Sequence, residues 1–307
     1  MKRILVAGEI NVDFVFRDLT AFPAPGNEVL SGGFEQTPGS SSMICAMGLA
    51  RLGNPVIFAG VAGGDPLGDF CIDAMRSRGI DVSAVTRDAS MATGVTASLS
   101  TGGDRALVTF VGGIGSLKAE HIDDALLRGA DHLHVSSYYL QRGLRSGCPE
   151  LFARARTAGL TISLDPGFDP EQRWDDGIAA LLDTVDVFLP NERELLAITG
   201  SDDVSSALAS LAGRRAAIVV KCGADGAATW LGGGLLVEPA YTVPVVDTTG
   251  AGDSFVAGFL HAYLRGLPPA HCLRWGNACG SLSTRGVGGT PAQPDVAEVA
   301  HLLDRAA

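Results

Sequence analysis

The sequence predicts an α/β fold: a doubly wound, mostly parallel sheet flanked by helices, with a small β-sheet standing off it. Short β-branched or apolar runs alternate with stretches of helical spacing along the chain, which is the order that parallel sheets require. At 307 residues the chain has room for one large α/β domain and can bury a sizeable core. Two segments break the rhythm, and both alternate with period two.

Strands are expected at 4–7, 56–59, 161–164, 185–189 and 216–220, and helices at 44–52 and 151–158, all within a single domain of residues 1–307. In the segment 94–111, Val95, Ala97 and Leu99 alternate with Thr96, Ser98 and Ser100; the chain then turns at Gly102 and Gly103 into Ala106, Val108 and Phe110, a hairpin pattern. The segment 12–38, with Phe14 and Phe16 alternating among Gly and Pro breaks, is also extended. Together the two segments form either a lid or an edge of the main sheet.

Composition excludes several functions. A net charge of −11 with lysine only at positions 2, 118 and 221 opposes a nucleic-acid surface, which needs clustered cations to neutralise phosphates. The apolar runs are too short to cross a bilayer, and glycine and glutamate interrupt the N-terminal run, so the protein is expected in the cytoplasm. Six cysteines without a C-x-x-C pair read as small buried hydrophobes in a reducing compartment. P-loop, zinc-helix and nucleophile-elbow motifs are absent. His132 and His134 share one face of a strand but have no third metal ligand at recognisable spacing. The glycines after residue 60 lack the order of a dinucleotide loop.

The segment 247–260, DTTGAGDSFVAGFL, is the most informative. A strand is expected at 241–246, and Phe255, Val256, Phe259, Leu260 and Tyr263 fall at helical spacing, so residues 249–253 lie at a strand-to-helix turn. Unpaired N–H groups at a helix start, approachable through glycines, form an anion site. Asp253 beside that site is either a helix-start acid favoured by the dipole or a proton acceptor. Asn191 and Glu194 fit an N-cap with a capping-box glutamate, or ligands to a hydrated Mg²⁺. Gly223 and Gly226 fit a plain hairpin turn or a phosphate loop.

In combination and order these segments resemble the ribokinase/PfkB carbohydrate kinase family over nearly the whole chain. DTTGAGDSF at 247–255 is similar to that family's C-terminal signature. GEINVD near the N-terminus, ARLG at 50–53, GGDPLG at 63–68, NERE at 191–194, KCGADG at 221–226 and GNACGSLSTRG at 276–286 follow in the family's order.

The resemblance implies a ribokinase-like fold and ATP-dependent phosphorylation of a hydroxyl on a small polyol, with the Mg²⁺ carrying much of the charge. It makes Asp253 the general base and the amides of Gly250, Ala251 and Gly252 the anion hole. Asp13 would bind substrate hydroxyls with Gly39 and Ser40 opposite. Lys221, Gly223 and Gly226 would lie along the ATP phosphates, with Asn277 near the nucleoside. Asn191 and Glu194 would organise Mg²⁺ through water, and Asp247 and Thr249 match positions that help bind a monovalent cation such as K⁺ in some members. A β-sheet lid covers the sugar in many relatives, and some dimerise through it.

Ser40 and Ile44 depart from the family's usual glycine and asparagine, which leaves the sugar open. A nucleoside is the alternative acceptor, with Phe14, Phe110, Tyr138 and Tyr139 as candidates to line a base slot. A non-catalytic regulator that binds sugar or nucleotide is a third reading. An already phosphorylated sugar is disfavoured, because the expected lid offers only Arg17 and Arg105 as cations.

Overall fold

The structure is a computed structural model, and it describes residues 1–101 and 105–306. Nine strands form the main sheet: β1 (Ile4–Ala7), β4 (Val56–Gly63), β5 (Asp81–Asp88), β8 (His132–Val135), β9 (Thr161–Leu164), β10 (Val187–Phe188), β11 (Ala217–Lys221), β12 (Ala227–Leu231) and β13 (Gly234–Glu238). Their order is β13-β12-β11-β10-β9-β8-β1-β4-β5. Pairing is parallel from β5 through to β11, and only β11-β12-β13 runs antiparallel.

Strand alternation divides the core between the two faces. Leu5 and Ala7 of β1 pack with Leu133, Val135, Ile162 and Leu164 on one side. Ile4 and Val6 pack on the other with Phe58, Met43 and the apolar side of the Ala251–Tyr263 helix. A strand buried on both faces must be apolar throughout, and that makes ILVA legible as a strand. No described helix is long and apolar enough to cross a membrane.

A second sheet has four strands in the order β3-β2-β6-β7: β2 (Asn11–Leu19), β3 (Gly33–Pro38), β6 (Gly94–Thr101) and β7 (Arg105–Phe110). Strands β2 and β6 are parallel, with β3 and β7 antiparallel on the flanks. Both period-two segments therefore join one separate sheet. The expected turn at Gly102 and Gly103 lies outside the described residues.

One expected strand is corrected. Residues 241–246 pair with no strand among the described residues. Pro244 removes a donor, and amides of this stretch bond elsewhere: Tyr241 N–H donates to Ser281 Oγ at 3.2 Å and Val246 N–H to the Thr284 carbonyl at 2.8 Å. At 185–189, only Val187 and Phe188 pair as a strand.

Candidate active site

Ligands of open α/β sheets bind beyond the carboxyl ends of the parallel strands. Here Glu9 follows β1, Ser137 follows β8, Asp165 follows β9, Asn191 follows β10 and Lys221 ends β11. A cavity of about 250 Å³ opens at this edge under the small sheet, lined by Glu9, Asp13, Ser40, Arg105 and Asp253 among others. That size sits at the small end of ligand clefts and suits a small acceptor.

Asp253 is the third residue of the Ala251–Tyr263 helix, and Gly250 is its N-cap, left-handed at φ 69°. Only glycine fits there: a Cβ on Gly250 would lie 2.7 Å from Gly289 Cα and 3.0 Å from Ile44 Cγ2. The first-turn amides have no partner within the helix, although Ala251 N–H lies 3.2 Å from the Thr248 carbonyl. Asp253 is half-buried by accessible surface because the cavity opens onto it. Protein nevertheless encloses the carboxyl closely enough that burial, with the Asp165 charge, raises its pKa to about 7 against the pull of Lys221.

Asp13 is buried at the opposite wall and accepts a hydrogen bond from Asn11 Nδ2 at 3.0 Å. Burial lifts its pKa to about 7, offset in part by Asn11 and Arg105. A Cβ on Gly39 would overlap Asp13 Oδ1, so this glycine clears the way for the carboxylate. Ser40 holds the left-handed backbone expected of a glycine, at φ 64°. Its side chain offsets that strain by capping the Ser41–Arg51 helix: Oγ accepts from Met43 N–H at 3.0 Å and donates to the Glu9 carbonyl at 2.7 Å. Ile44 lines the cavity and packs on Gly250 and Gly289.

Asn191 and Glu194 form the reciprocal capping box: Asn191 N–H donates to Glu194 Oε2 at 2.8 Å and Glu194 N–H to Asn191 Oδ1 at 2.9 Å. Burial raises the Glu194 pKa to about 7, with Lys221 opposing. The Lys221 ammonium is mostly buried and salt-bridged to Asp165. It also lies beside the helix start, since a Cβ on Gly252 would be 3.9 Å from Nζ. Asp247 ties two loops together: Oδ1 accepts from Thr249 N–H and Oγ1, and Oδ2 accepts from Gly288 N–H at 2.8 Å.

Gly223 and Gly226 form the turn of the β11–β12 hairpin. Gly226 is held by packing, because a Cβ there would strike the Glu238 carbonyl. Asn277 Nδ2 donates to the Glu238 and Pro239 carbonyls at 2.8 and 3.1 Å, which pins the chain leaving β13. None of Phe14, Phe110, Tyr138 and Tyr139 lines the cavity. The two tyrosines are in the core, Phe14 packs on Phe34, and Phe110 faces outward. The cavity's apolar lining comes instead from Ile44, Leu107, Ile114 and Leu140. His132 and His134 are buried on Thr161 and Ser163, and burial lowers their pKa values to about 3 and 4, so both are neutral core residues. Arg17 is paired with Glu35 on the small sheet, away from the cavity lining.

Sequence reasoning missed Asp165 and Glu9. Asp165 directly follows β9 and Glu9 lies two residues past β1, and a place at the carboxyl end of a parallel strand was the available signal. Glu9 accepts from Ser42 Oγ at 2.6 Å and, by burial, has its pKa raised.

Comparisons with known proteins agree with this geometry. The model of the "pfkB family carbohydrate kinase" matches residues 1–296. An ATP-dependent ribose-1-phosphate kinase of Halopiger xanaduensis is 32% identical over 307 residues, covering 99% of this chain and 98% of that protein. A fructokinase of Klebsiella pneumoniae is 33% identical over 277 residues, covering 84% and 89%. The solved structure of a putative ribokinase II of E. coli in complex with ATP and Mg²⁺ superposes with a TM-score of 0.87 at 24% identity, over 99% of this chain and 100% of that one. With a ribokinase-like sheet, a glycine-led helix start beneath a small second sheet, and a family match spanning nearly every element, the chain belongs to the pfkB family of carbohydrate kinases, which are phosphotransferases.

Proposed function

We propose that the protein transfers the γ-phosphate of ATP to a hydroxyl of a small carbohydrate, with Asp253 as general base. The observation that carries this is the position of Asp253: a carboxyl at the start of a glycine-led helix, lining the same cavity as Asp13. The donor set fits a nucleotide with Mg²⁺, since a helix start with open amides, one buried ammonium and oxygen-bearing side chains favour anions and a hard cation. When bound, these supply the phosphoryl group and neutralise its charge.

The chain's own groups then have separable roles. Asp13, with Gly39 and Ser40, orients the acceptor's hydroxyls. Asp253 takes the proton of the attacking hydroxyl, and the Gly250, Ala251 and Gly252 backbone stabilises charge on the transferring group. Lys221, Gly223, Gly226 and Asn277 hold the nucleotide; Asn191 and Glu194 hold Mg²⁺ through water. Asp247 and Thr249 are assigned to a monovalent cation such as K⁺. The small sheet acts as lid, and the site of action is the cytoplasm, where ATP and reduced cysteines coexist.

A sugar is favoured over a nucleoside because the cavity lacks an aromatic wall. A regulator without catalysis is disfavoured by the intact Asp253 and its glycines. The deciding experiment is ADP release over D-ribose, D-fructose, ribose 1-phosphate, sugar acids and adenosine. Turnover is expected with a sugar, should disappear on EDTA treatment, and in Glu194→Gln should need more Mg²⁺. Undiminished rates without metal would sink the metal assignment, and no turnover with any acceptor would leave the binding-protein reading.

The lid also supports a homodimer. Phe34, Val108 and Phe110 are more than half exposed on the small sheet, at 54%, 64% and 58%. Sedimentation is expected to show a dimer that Val108→Lys dissociates; a monomeric wild type would end this part of the proposal.

A further inference from the structure

One carboxyl of the cavity wall has no task in phosphoryl transfer as proposed. Glu9 lies two residues past β1, is 2% exposed and lines the cavity alongside Asp13 and Asp253. Burial works against its charge, so its hydrogen bonds must offset that cost.

Three of those bonds fall on one place, the start of the Ser41–Arg51 helix. Ser40 Oγ donates to the Glu9 carbonyl at 2.7 Å, Ser42 N–H to Glu9 Oε1 at 3.3 Å and Ser42 Oγ to Glu9 Oε2 at 2.6 Å. The helix start favours the carboxylate there. With its own hydrogen committed to Glu9, Ser42 Oγ accepts from Ser136 Oγ at 2.8 Å. Strand end and helix start abut closely, since a Cβ on Gly8 would overlap Ser42 Oγ. Glu9 therefore holds the residues on both sides of Ser41. Ser41 itself lines the cavity, and its hydroxyl donates to the Asp253 carboxyl. Ile44, one turn further on, packs on Gly250, so a shift of this helix start would disturb both the donor to Asp253 and the wall behind the glycine.

We infer that Glu9 is a positioning residue: it grips the start of the Ser41–Arg51 helix and thereby holds the Ser41 hydroxyl on the general base. The inference rests on the kinase reading above, in which Asp253 takes the acceptor's proton. Neither Glu9 nor Ser41 exchanges a proton with the acceptor. A general base must present a lone pair to the hydroxyl it deprotonates, and a fixed donor on the carboxyl sets which way its free lone pairs point. Glu9→Ala leaves the backbone carbonyl that Ser40 uses and removes only the side-chain hold on Ser42. Ser41 is then free to drift from Asp253.

The test is a double-mutant cycle of Glu9→Ala and Ser41→Ala in the full chain, with Mg-ATP and whichever of D-ribose or D-fructose the wild type phosphorylates faster. Reading kcat at about pH 9, above the Asp253 limb, keeps ionisation from mixing with positioning. Each single variant should lose about tenfold in kcat with acceptor KM within about threefold of wild type. The double variant should lose no more than about twofold beyond either, because both substitutions break one arrangement. Glu9→Gln keeps an oxygen for the Ser42 hydroxyl and should recover most of the loss; it keeps the test valid if Glu9→Ala folds poorly. A second readout needs no substrate: the carboxyl carbon-13 resonance of Asp253 in the ligand-free protein, assigned by its loss in Asp253→Asn. Ser41→Ala removes a donor that favours the carboxylate, so the Asp253 midpoint should rise by about one pH unit. Besides Glu9, Asp253 is near Asp165, Lys221, Glu194 and Cys45, with Asp13 and Arg105 on the same cavity. None of these changes in Ser41→Ala, so the shift reports the serine. Losses that multiply in the double variant would make Glu9 independent of Ser41 and overturn the inference. An unmoved Asp253 midpoint in Ser41→Ala would overturn it too, as would wild-type kcat in Glu9→Ala. If wild type turns over no acceptor, the kinase reading falls and takes this inference with it, even where the titration finds Ser41 on Asp253.

Discussion

Asp253→Asn is expected to lose about 10²–10⁴ in kcat while ATP and acceptor binding change little. The substitution keeps the size and a hydrogen-bonding oxygen but removes the basic charge, so it isolates proton acceptance from positioning. Loss of a negative charge beside phosphates should if anything tighten ATP. The pH profile gives an independent check. A general base works only when unprotonated, and burial with the Asp165 charge puts its pKa at about 7. Activity in wild type should therefore fall as pH drops through about 7 and level off above it. The residual activity of Asp253→Asn should lack that limb. If Asp253 were only a helix-start acid, the change would cost less than about 1 kcal/mol of stability and leave turnover intact. A folded Asp253→Asn enzyme with wild-type kcat would refute the assignment.

How much of this was legible depended on whether a residue's role is local. ILVA at 4–7 is a strand because both sheet faces are covered, and a continuous apolar run records that directly. The glycine-led turn before Asp253 is likewise written in adjacent residues. The segment 241–246 carries a similar β-branched pattern, but whether it pairs depends on a partner remote in sequence, and its amides went to the Pro269–Ser283 helix and to Thr284 instead. The four aromatics proposed for a nucleoside slot failed for the same reason. Composition supplied the rings, but strand facing and core packing sent them away from the cavity. Ser40 is a converse case, in which the departure from glycine is absorbed by a cap that only the folded loop reveals. Asp165 left no motif at all, because its significance comes from Lys221, 56 residues away.

Because of that pairing, Lys221→Met is expected to cost substantial stability. The Lys221 and Asp165 side chains are only 12% and 5% exposed, and Glu194 and Asp253 add two more carboxyls to the same neighbourhood. Burial works against the ammonium's charge, but Asp165 and Glu194 outweigh it and hold the Lys221 pKa above its ordinary value. Removing the ammonium leaves a buried carboxylate with the Gly167 N–H at 3.0 Å but without its counter-charge, and breaking a buried ion pair in this way typically costs about 3–5 kcal/mol. A urea titration should show the midpoint fall with an unchanged slope, since the surface exposed on unfolding is the same. Asp165→Asn in the Lys221→Met background removes the orphaned charge and should restore part of that loss. The two variants should also differ in pH response. With Lys221 alone removed, Asp253 loses the ammonium that lowers its pKa and keeps its proton to higher pH, so the acid limb of kcat should move upward. Adding Asp165→Asn removes a charge that raises the Asp253 pKa and should draw the limb part of the way back. Stability of Lys221→Met within about 0.5 kcal/mol of wild type would place it among ordinary surface substitutions and show that the pair contributes nothing to the fold.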